Sequence, residues 1–213
     1  ARSNALRCLD LAGTIGTSVH TSPALQVLAD VAIVRGDRLE AEQHIRQAIA
    51  VARQHELSGQ LRDAEAKRAH YLIANEDAEG ATQWANSRLG RDRSVWDYTY
   101  FQENAVLARY LIVAGRVDDA QSLIAPLFEE ARTNHRRRDE HEMAMLGAFA
   151  CWRAGDQLSA VAQFRPVLHR AMENTWILSL AQDVHLLSPL LERFVGDTEL
   201  GGFVNTLLRD RRD

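Results

Sequence analysis

Several residue types are scarce in this 213-residue chain, and each scarcity excludes a class of protein. Four prolines and 12 glycines are too few for an all-β or loop-rich fold, in which turns recur every few residues. Two cysteines, Cys8 and Cys151, form neither a disulfide framework nor a zinc site, so we expect a reducing compartment, the cytoplasm. No apolar run approaches the roughly 20 residues that a membrane-spanning helix needs, so we expect no membrane contact.

Lysine is the scarcest charged residue, since Lys67 is the only lysine whereas the chain has 24 arginines. A nucleotide-binding P-loop needs a lysine after its glycines to reach the phosphates. The glycine-containing stretch at residues 13–18 has none, which argues against that class of site. The net charge of −4 provides no general attraction for nucleic acid, so we expect no direct nucleic-acid partner.

Helix-forming residues are abundant, and they are arranged in an internal repeat of about 40 residues. Alanine recurs seven residues before and five residues after a break in the pattern, and the breaks fall at positions 36, 76, 115 and 155. Fixed periods of this length are typical of helical-repeat proteins. The alanine pairs are Ala29 with Ala41, Ala69 with Ala81, Ala108 with Ala120, and Ala148 with Ala160.

Each repeat is predicted to be a pair of helices, because its apolar residues recur three to four positions apart. Gly36, Gly115 and Gly155 are predicted to end the first helix, since glycine accepts the left-handed conformation found at helix C-termini. Asp37 and Asp156 are predicted to cap the second helix. The paired alanines then let the two helix backbones approach closely, and a bulky residue at either position is predicted to force them apart.

The repeat defines the predicted organisation of the chain, in which we find no linker rich in proline, serine or glycine. We expect an all-α fold and a single domain over residues 1–213. Residues 1–12 match the second helix of a preceding unit, so the chain is predicted to be a fragment of something longer. Gly196 and Gly201 indicate a degenerate last unit, in which Pro189 is predicted to interrupt the helix. The predicted segments are a half-repeat with a loop at 1–21, repeats at 22–56, 57–93, 94–135 and 136–174, and a capping repeat at 175–213.

The alanine pairs, with a turn between them, resemble the two helix-crossing positions of the tetratricopeptide repeat (TPR). The similarity is to a long-helix variant, since the period is near 40 rather than about 34. The stretch from Ala105 to Phe194, with Leu107-Ala-Arg-Tyr-Leu-Ile-Val-Ala-Gly115, is similar to the sensor region of MalT-type, LuxR-family ATP-dependent transcriptional activators. This resemblance implies a right-handed superhelix of helical hairpins. It also implies an NTPase module upstream and a helix-turn-helix module downstream, both in the same polypeptide and outside this chain.

The resemblance also suggests a ligand surface, because the first helices of a TPR stack line its concave side. A polar rim with an aromatic platform suits a sugar, a small organic effector or an extended peptide. Arg109 is expected to hold an anionic or hydroxyl-rich effector, and Arg109→Ala is expected to leave the melting temperature nearly unchanged. Phe149 and Trp152 have an alternative interpretation as core residues between repeats. The candidate residues are Asp30, His70, Gln102, Arg109, Glu142, Phe149 and Trp152.

Two further segments are candidates of a different kind. Residues 132–142 combine arginines with acids so that their charge nearly cancels, and we interpret them as a solvated linker between helices. The histidines in this segment lack the spacing of a zinc site, so we expect no metal. The aromatic residues that open the third repeat are an alternative partner surface. They are Trp96, Tyr98, Tyr100 and Phe101.

The sequence predicts a binding protein rather than an enzyme, because no local spacing assembles a catalytic triad or a pair of carboxylates. We expect no catalytic residue and no cofactor. The favoured hypothesis is the effector-sensing and protein-interaction region of a bacterial transcriptional regulator, with a small effector or a protein partner bound in the concave groove. The alternatives are a generic TPR-like scaffold for protein–protein interaction and a helical-repeat enzyme.

Overall fold

Helices dominate the computed structural model, which describes residues 1–89 and 100–209. No strand occurs in these residues, which confirms the predicted all-α fold. None of the described helices is long and apolar enough to span a membrane. The helices are α1 (Arg2–Ile15), α2 (Thr21–Val34), α3 (Arg38–Gln54), α4 (Ser58–Ala74), α5 (Ala78–Leu89), α6 (Phe101–Val113), α7 (Val117–Thr133), α8 (Arg137–Arg153), α9 (Gln157–Asn174), α10 (Ile177–Gln182), α11 (Val184–Leu191) and α12 (Gly201–Arg209), with a 3₁₀ turn at Glu192–Phe194.

The chain separates into two compact units, Ala1–Asp77 and Ala78–Asp213. Unit 1 contains α1 to α4, and unit 2 contains α5 to α12. The division falls at the turn between α4 and α5, inside the predicted repeat at 57–93, whereas the sequence predicts a single domain over residues 1–213. No linker rich in proline or glycine lies at this point, so composition gave no indication of it.

Contacts between small residues hold unit 1 together. Ala29 of α2 and Ala41 of α3 are 0% exposed, as expected where two helix backbones cross closely. On α1, Ala5 and Ala12 are buried. A small core shared by α2, α3 and α4 contains Leu25, Ala48 and Ala64.

Unit 2 has a larger core that reaches from α5 to α12. Its crossing alanines, Ala108 with Ala120 and Ala148 with Ala160, are all 0% exposed. Residues 103–109 of α6 are buried without interruption, so this helix is enclosed on every side. A Cβ atom at position 201 would lie 2.6 Å from a backbone oxygen, which explains the glycine that ends the repeat pattern there.

The predicted helix ends and caps of the repeats are confirmed. Gly36, Gly115 and Gly155 have φ angles of 73°, 77° and 88°, in the left-handed region. The carboxylate of Asp37 accepts a hydrogen bond from the backbone N–H of the residue three positions on, at 3.0 Å. Asp156 caps the second helix of the fourth repeat in the same way, at 3.0 Å. Each first helix therefore ends and each second helix begins where the pattern predicts.

Residues other than glycine also adopt the left-handed conformation at turns, and of these turns only the one at Glu76 coincides with a predicted break in the repeat. Glu56, Glu76, His135 and Thr175 have φ angles of 55° to 60°. Together with the glycines, they recur about every 20 residues through much of the described chain. A left-handed conformation costs a residue with a side chain about 1–2 kcal/mol, so packing of the flanking helices imposes it here.

Two predictions about helix limits are wrong. Pro189 lies inside α11, and the helix is broken instead at Asp183, between α10 and α11. A proline removes one backbone hydrogen bond, and packing of the flanking turns compensates for it here, as it does for Pro126 inside α7. The charged segment 132–142 is not a solvated linker, because α8 begins at Arg137 and includes its second half.

The close helix crossing predicts a specific pattern of mutational effects. Ala108→Leu and Ala120→Leu place a bulky side chain where none fits, and each is expected to lower the free energy of unfolding by about 1–3 kcal/mol. Ala125→Leu is the matched control, since Ala125 is exposed on the same helix as Ala120. Urea denaturation of the three variants measures the difference. Equal stability of all three would contradict the close-crossing argument.

Candidate functional site

In unit 1, the predicted site residue Asp30 forms an ion pair between two first helices. Its Oδ1 lies 2.6 Å from Nζ of Lys67 on α4. The two side chains are only 11% and 15% exposed, so the contact joins packed helices and is not an open rim. His70 lies about one turn further along α4 and is 3% exposed. The structure thus places both predicted residues on buried parts of the first helices.

In unit 2, Arg109 of α6 is bound by two carboxylates from distant parts of the chain. Its Nη2 lies 2.7 Å from Oδ2 of Asp183 and 2.9 Å from Oε1 of Glu142. Its Nε also donates to Asp183, with distances of 2.8 Å to Oδ2 and 3.1 Å to Oδ1. Glu142 belongs to α8, and Asp183 lies at the junction of α10 and α11. We call these three residues the Arg109 network.

The Arg109 network is a buried ion cluster. Arg109 is 3% exposed and Asp183 is 2% exposed. Burial by itself lowers the pKa of Arg109, but Asp183 and Glu142 together raise it by more, so the pKa lies above its usual value. The guanidinium is therefore charged at any accessible pH. Loss of this cation would leave two carboxylates in the interior without a counter-charge, which proteins tolerate poorly.

This geometry changes the interpretation of Arg109. The sequence predicts that its planar guanidinium holds an anion, and in the structure those anions are carboxylates of the same chain. A residue that joins α6, α8 and the α10–α11 junction contributes to the stability of unit 2. The expectation that Arg109→Ala leaves the melting temperature unchanged is not compatible with this burial.

The remaining predicted site residues lie in different surroundings. Gln102 is exposed near the start of α6. Phe149 is 2% exposed and belongs to the core of unit 2, which confirms its alternative interpretation. Trp152 is partly buried and packs against the same core. Of the seven candidates, the structure thus brings Arg109 and Glu142 into direct contact.

The charged segment at the start of α8 contains buried residues that sequence reasoning missed. Asp139 is 9% exposed and His141 is 1% exposed. Burial, and then Glu142, raise the pKa of Asp139. The available signal was the helical period, since His141 precedes Met145 and Ala148 on one buried face. Within the described residues, no group of three or more His, Cys, Asp or Glu side chains is placed to hold a metal ion.

His141 is an uncharged histidine in an apolar position. Its ring lies edge-on to that of Trp176, with 5.1 Å between ring centroids. Neither ring nitrogen has a hydrogen-bond partner in the described part of the chain. Burial lowers the pKa of His141 to about 4. Protonation of this side chain therefore opposes folding.

Of the predicted aromatic cluster, half can be placed. Phe101 is 2% exposed and belongs to the core of unit 2, and Tyr100 is 38% exposed. Trp96 and Tyr98 lie outside the described residues. The two described residues therefore divide between core and surface.

A different surface in unit 1 is strongly apolar. The side of α1 and the turn after it expose large aliphatic residues, with Ile15 73% and Leu11 54% exposed. A cleft of about 390 Å³ lies beside them and includes Cys8 and Ala12 in its lining. The exposed aliphatic residues of this α1 surface, beside the cleft, are Leu11 and Ile15, with Val19 in the turn that follows, whereas Leu6 faces the opposite side of α1 from Ile15. Neighbouring exposed aliphatic side chains such as Leu11 and Ile15 occur at protein interaction sites.

Comparison with known proteins gives a family-level result. A family model described as MalT-like TPR region matches residues 1–196. No curated protein matches the chain, and no solved structure matches it. The family match therefore covers both units and most of the helices described above.

Arg109→Ala is expected to destabilise unit 2 by about 3–5 kcal/mol, because it leaves the buried Asp183 and the partly buried Glu142 without a counter-charge. Thermal and urea unfolding measure this loss. Arg116→Ala is the matched control, since Arg116 pairs with Asp119 at 2.7 Å but is about half exposed, and its loss is expected to cost less than about 1 kcal/mol. Similar stability of the two variants would show that the buried network contributes nothing.

Stability is expected to fall as the pH is lowered through the range set by His141. The unfolded chain binds a proton at this side chain near pH 6.5, whereas the folded chain binds it only near pH 4. The stabilisation by the neutral ring is therefore complete above about pH 6.5, and about 2 kcal/mol of it is lost by pH 5. His141→Phe removes this dependence. The raised pKa of Asp139 acts in the opposite direction and remains in the variant, so the difference between the two chains isolates His141.

The measurement is the melting temperature of both proteins between pH 7.5 and pH 4.5. His169→Gln is the control, because His169 is about one-third exposed and that substitution is expected to keep the pH dependence. Parallel pH profiles for the original chain and the Phe variant would contradict the assignment.

Proposed function

The chain belongs to the family of MalT-like TPR regions, and we propose that it is the effector-sensing and protein-interaction region of a bacterial transcriptional regulator of the LuxR type. The observation that supports this most directly is the family match over residues 1–196. The proposal includes an NTPase module and a helix-turn-helix module in the same polypeptide. It also includes a cytoplasmic location. No catalytic activity and no direct nucleic-acid contact are assigned to this region.

The Arg109 network supports a mechanism for sensing within unit 2. Asp183 lies where α10 meets α11, and its bonds to Arg109 join this break to α6. Because Arg109 is 3% exposed, an anionic effector reaches its guanidinium only in a state in which Asp183 has separated from it, and the planar fork then binds the carboxylate or phosphate. Binding then favours a state in which the α10–α11 junction is released from α6. The shift is limited by the difference in effector affinity between the two states.

A protein-interaction role has separate support in unit 1. Leu11 and Ile15 of the α1 surface expose large aliphatic side chains beside a cleft, as protein interaction sites do. A second candidate function is therefore a TPR-like scaffold that binds a partner protein without an effector. The two candidates differ in whether the Arg109 network influences output.

The coding sequence around residues 1–213 provides the first test. A P-loop NTPase module upstream and a helix-turn-helix module downstream in one open reading frame are the expected result. An open reading frame that contains neither would contradict the regulator proposal and favour the scaffold.

The second test uses the complete regulator with a transcriptional reporter. Asp183→Asn weakens the bond to Arg109 with little change in volume, so it is expected to change transcription without effector by at least several-fold. Asp118→Asn is the matched control, because Asp118 is exposed on α7. Both variants are compared at equal protein level. Unchanged output from Asp183→Asn would refute the proposed sensing mechanism.

A further inference from the structure

A cleft of about 440 Å³ in unit 1 combines an apolar floor with charged walls. It runs between α3 and α4. Its floor contains Ile45, Ile49 and Leu72, and Ile45 is 1% exposed. This volume lies within the range of small-molecule sites, which are apolar with a few converging polar groups. The cleft belongs to unit 1, whereas the Arg109 network belongs to unit 2.

The arginines of the cleft are not equivalent. Arg46 pairs with Glu42 at 2.5 Å, and Arg53 pairs with Glu65 at 3.8 Å. Both arginine side chains are more than two-thirds exposed, so each pair contributes at most about 1 kcal/mol and is easily exchanged. Arg68, on α4, is exposed and has no acidic partner in the described part of the chain. Glu42, Glu65 and Asp77 also line the cleft, so its formal charge is balanced, and, among the described residues, Arg68 is the arginine of the lining that makes no ion pair with these acids.

Tyr71 forms part of the same wall, one turn after Arg68. Its hydroxyl donates a hydrogen bond to the backbone oxygen of Arg38, at 3.3 Å, which fixes the ring beside the floor. Burial, and then Glu42, raise the pKa of Tyr71, so the phenol stays neutral and does not repel an anion. The ring face adds apolar surface for the body of a ligand.

We propose that the α3–α4 cleft binds a small organic anion, with its carboxylate or phosphate group at Arg68 and its apolar body over Ile49 and Leu72. A guanidinium donates two parallel hydrogen bonds to either acid group, which gives orientation as well as affinity. The apolar floor selects against inorganic anions, which gain nothing from it. This inference adds a ligand class and a second site to the proposed function, and it does not depend on the Arg109 network.

Titration of the ¹⁵N-labelled chain with phenyl phosphate and with 3-phenylpropionate tests the site. The two probes share an apolar body and differ in the acid group, and 3-phenylpropan-1-ol is the neutral comparison. Both anions are expected to bind saturably and to shift amide resonances of α3 and α4. The alcohol is expected to bind at least tenfold more weakly. Binding by one anion alone identifies which acid group the cleft accepts and supports the site.

Three variants locate the binding. Arg68→Ala is expected to weaken it by tenfold to a hundredfold, the usual effect of losing a charge-assisted bond. Ala50→Phe fills the cleft from an exposed position and is expected to abolish binding while the circular dichroism spectrum stays unchanged. Arg193→Ala removes the same charge from an exposed position in unit 2 and is expected to change affinity less than twofold.

Three results would overturn the inference: no saturable binding of either anion, equal affinity in Arg68→Ala and Arg193→Ala, or shifts outside α3 and α4. None of these results bears on the regulator proposal. That proposal is tested by the gene arrangement and by the Asp183→Asn variant, and neither involves this cleft.

Discussion

The close crossing of paired alanines is the constraint on which the arrangement of both units depends. Ala29 with Ala41 and Ala108 with Ala120 leave only methyl groups at the crossing, so two helix backbones approach each other closely. This contact fixes how each first helix is rotated about its axis. The residue after the crossing alanine then points towards a neighbouring first helix. Asp30 and Arg109 occupy this position, and both form ion pairs with the next first helix in their unit.

The fold was predictable at positions where the residue type itself meets a requirement of the local backbone. Gly115 adopts the left-handed conformation at a helix end and Asp156 caps a helix, so the residue types alone located this turn and this cap. Glu56 and His135 adopt the same left-handed conformation without glycine, because the packed helices on either side impose it. No local signal indicates such a position. The break at Asp183 was missed for a similar reason, since a tertiary bond to Arg109 accompanies it and the conspicuous proline lies six residues away.

The candidate site was predictable only in part, because its partners are distant in sequence. The resemblance to the TPR placed Arg109 on an open groove and its side-chain type indicated an anion, but the structure buries Arg109, and nothing local indicated a carboxylate 74 positions away. The charge-balanced segment around Asp139 and His141 was misinterpreted because average charge conceals which residues face inward. The α3–α4 cleft was missed because its lining alternates between two helices. Only the folded arrangement brings Arg68 and Ile49 to one surface.

The single lysine has a chemical consequence of its own. Nζ of Lys67 lies 2.6 Å from a carboxylate oxygen of Asp30, and little of either side chain reaches solvent. Acylation of an amine requires an unobstructed approach, which the packing of Lys67 against Asp30 prevents. An acetyl group at Lys67 would also leave Asp30 buried without a cation. Acetyl transfer to the sole ε-amino group must therefore wait for transient opening of the α2–α4 contact, so its rate reports local unfolding of unit 1.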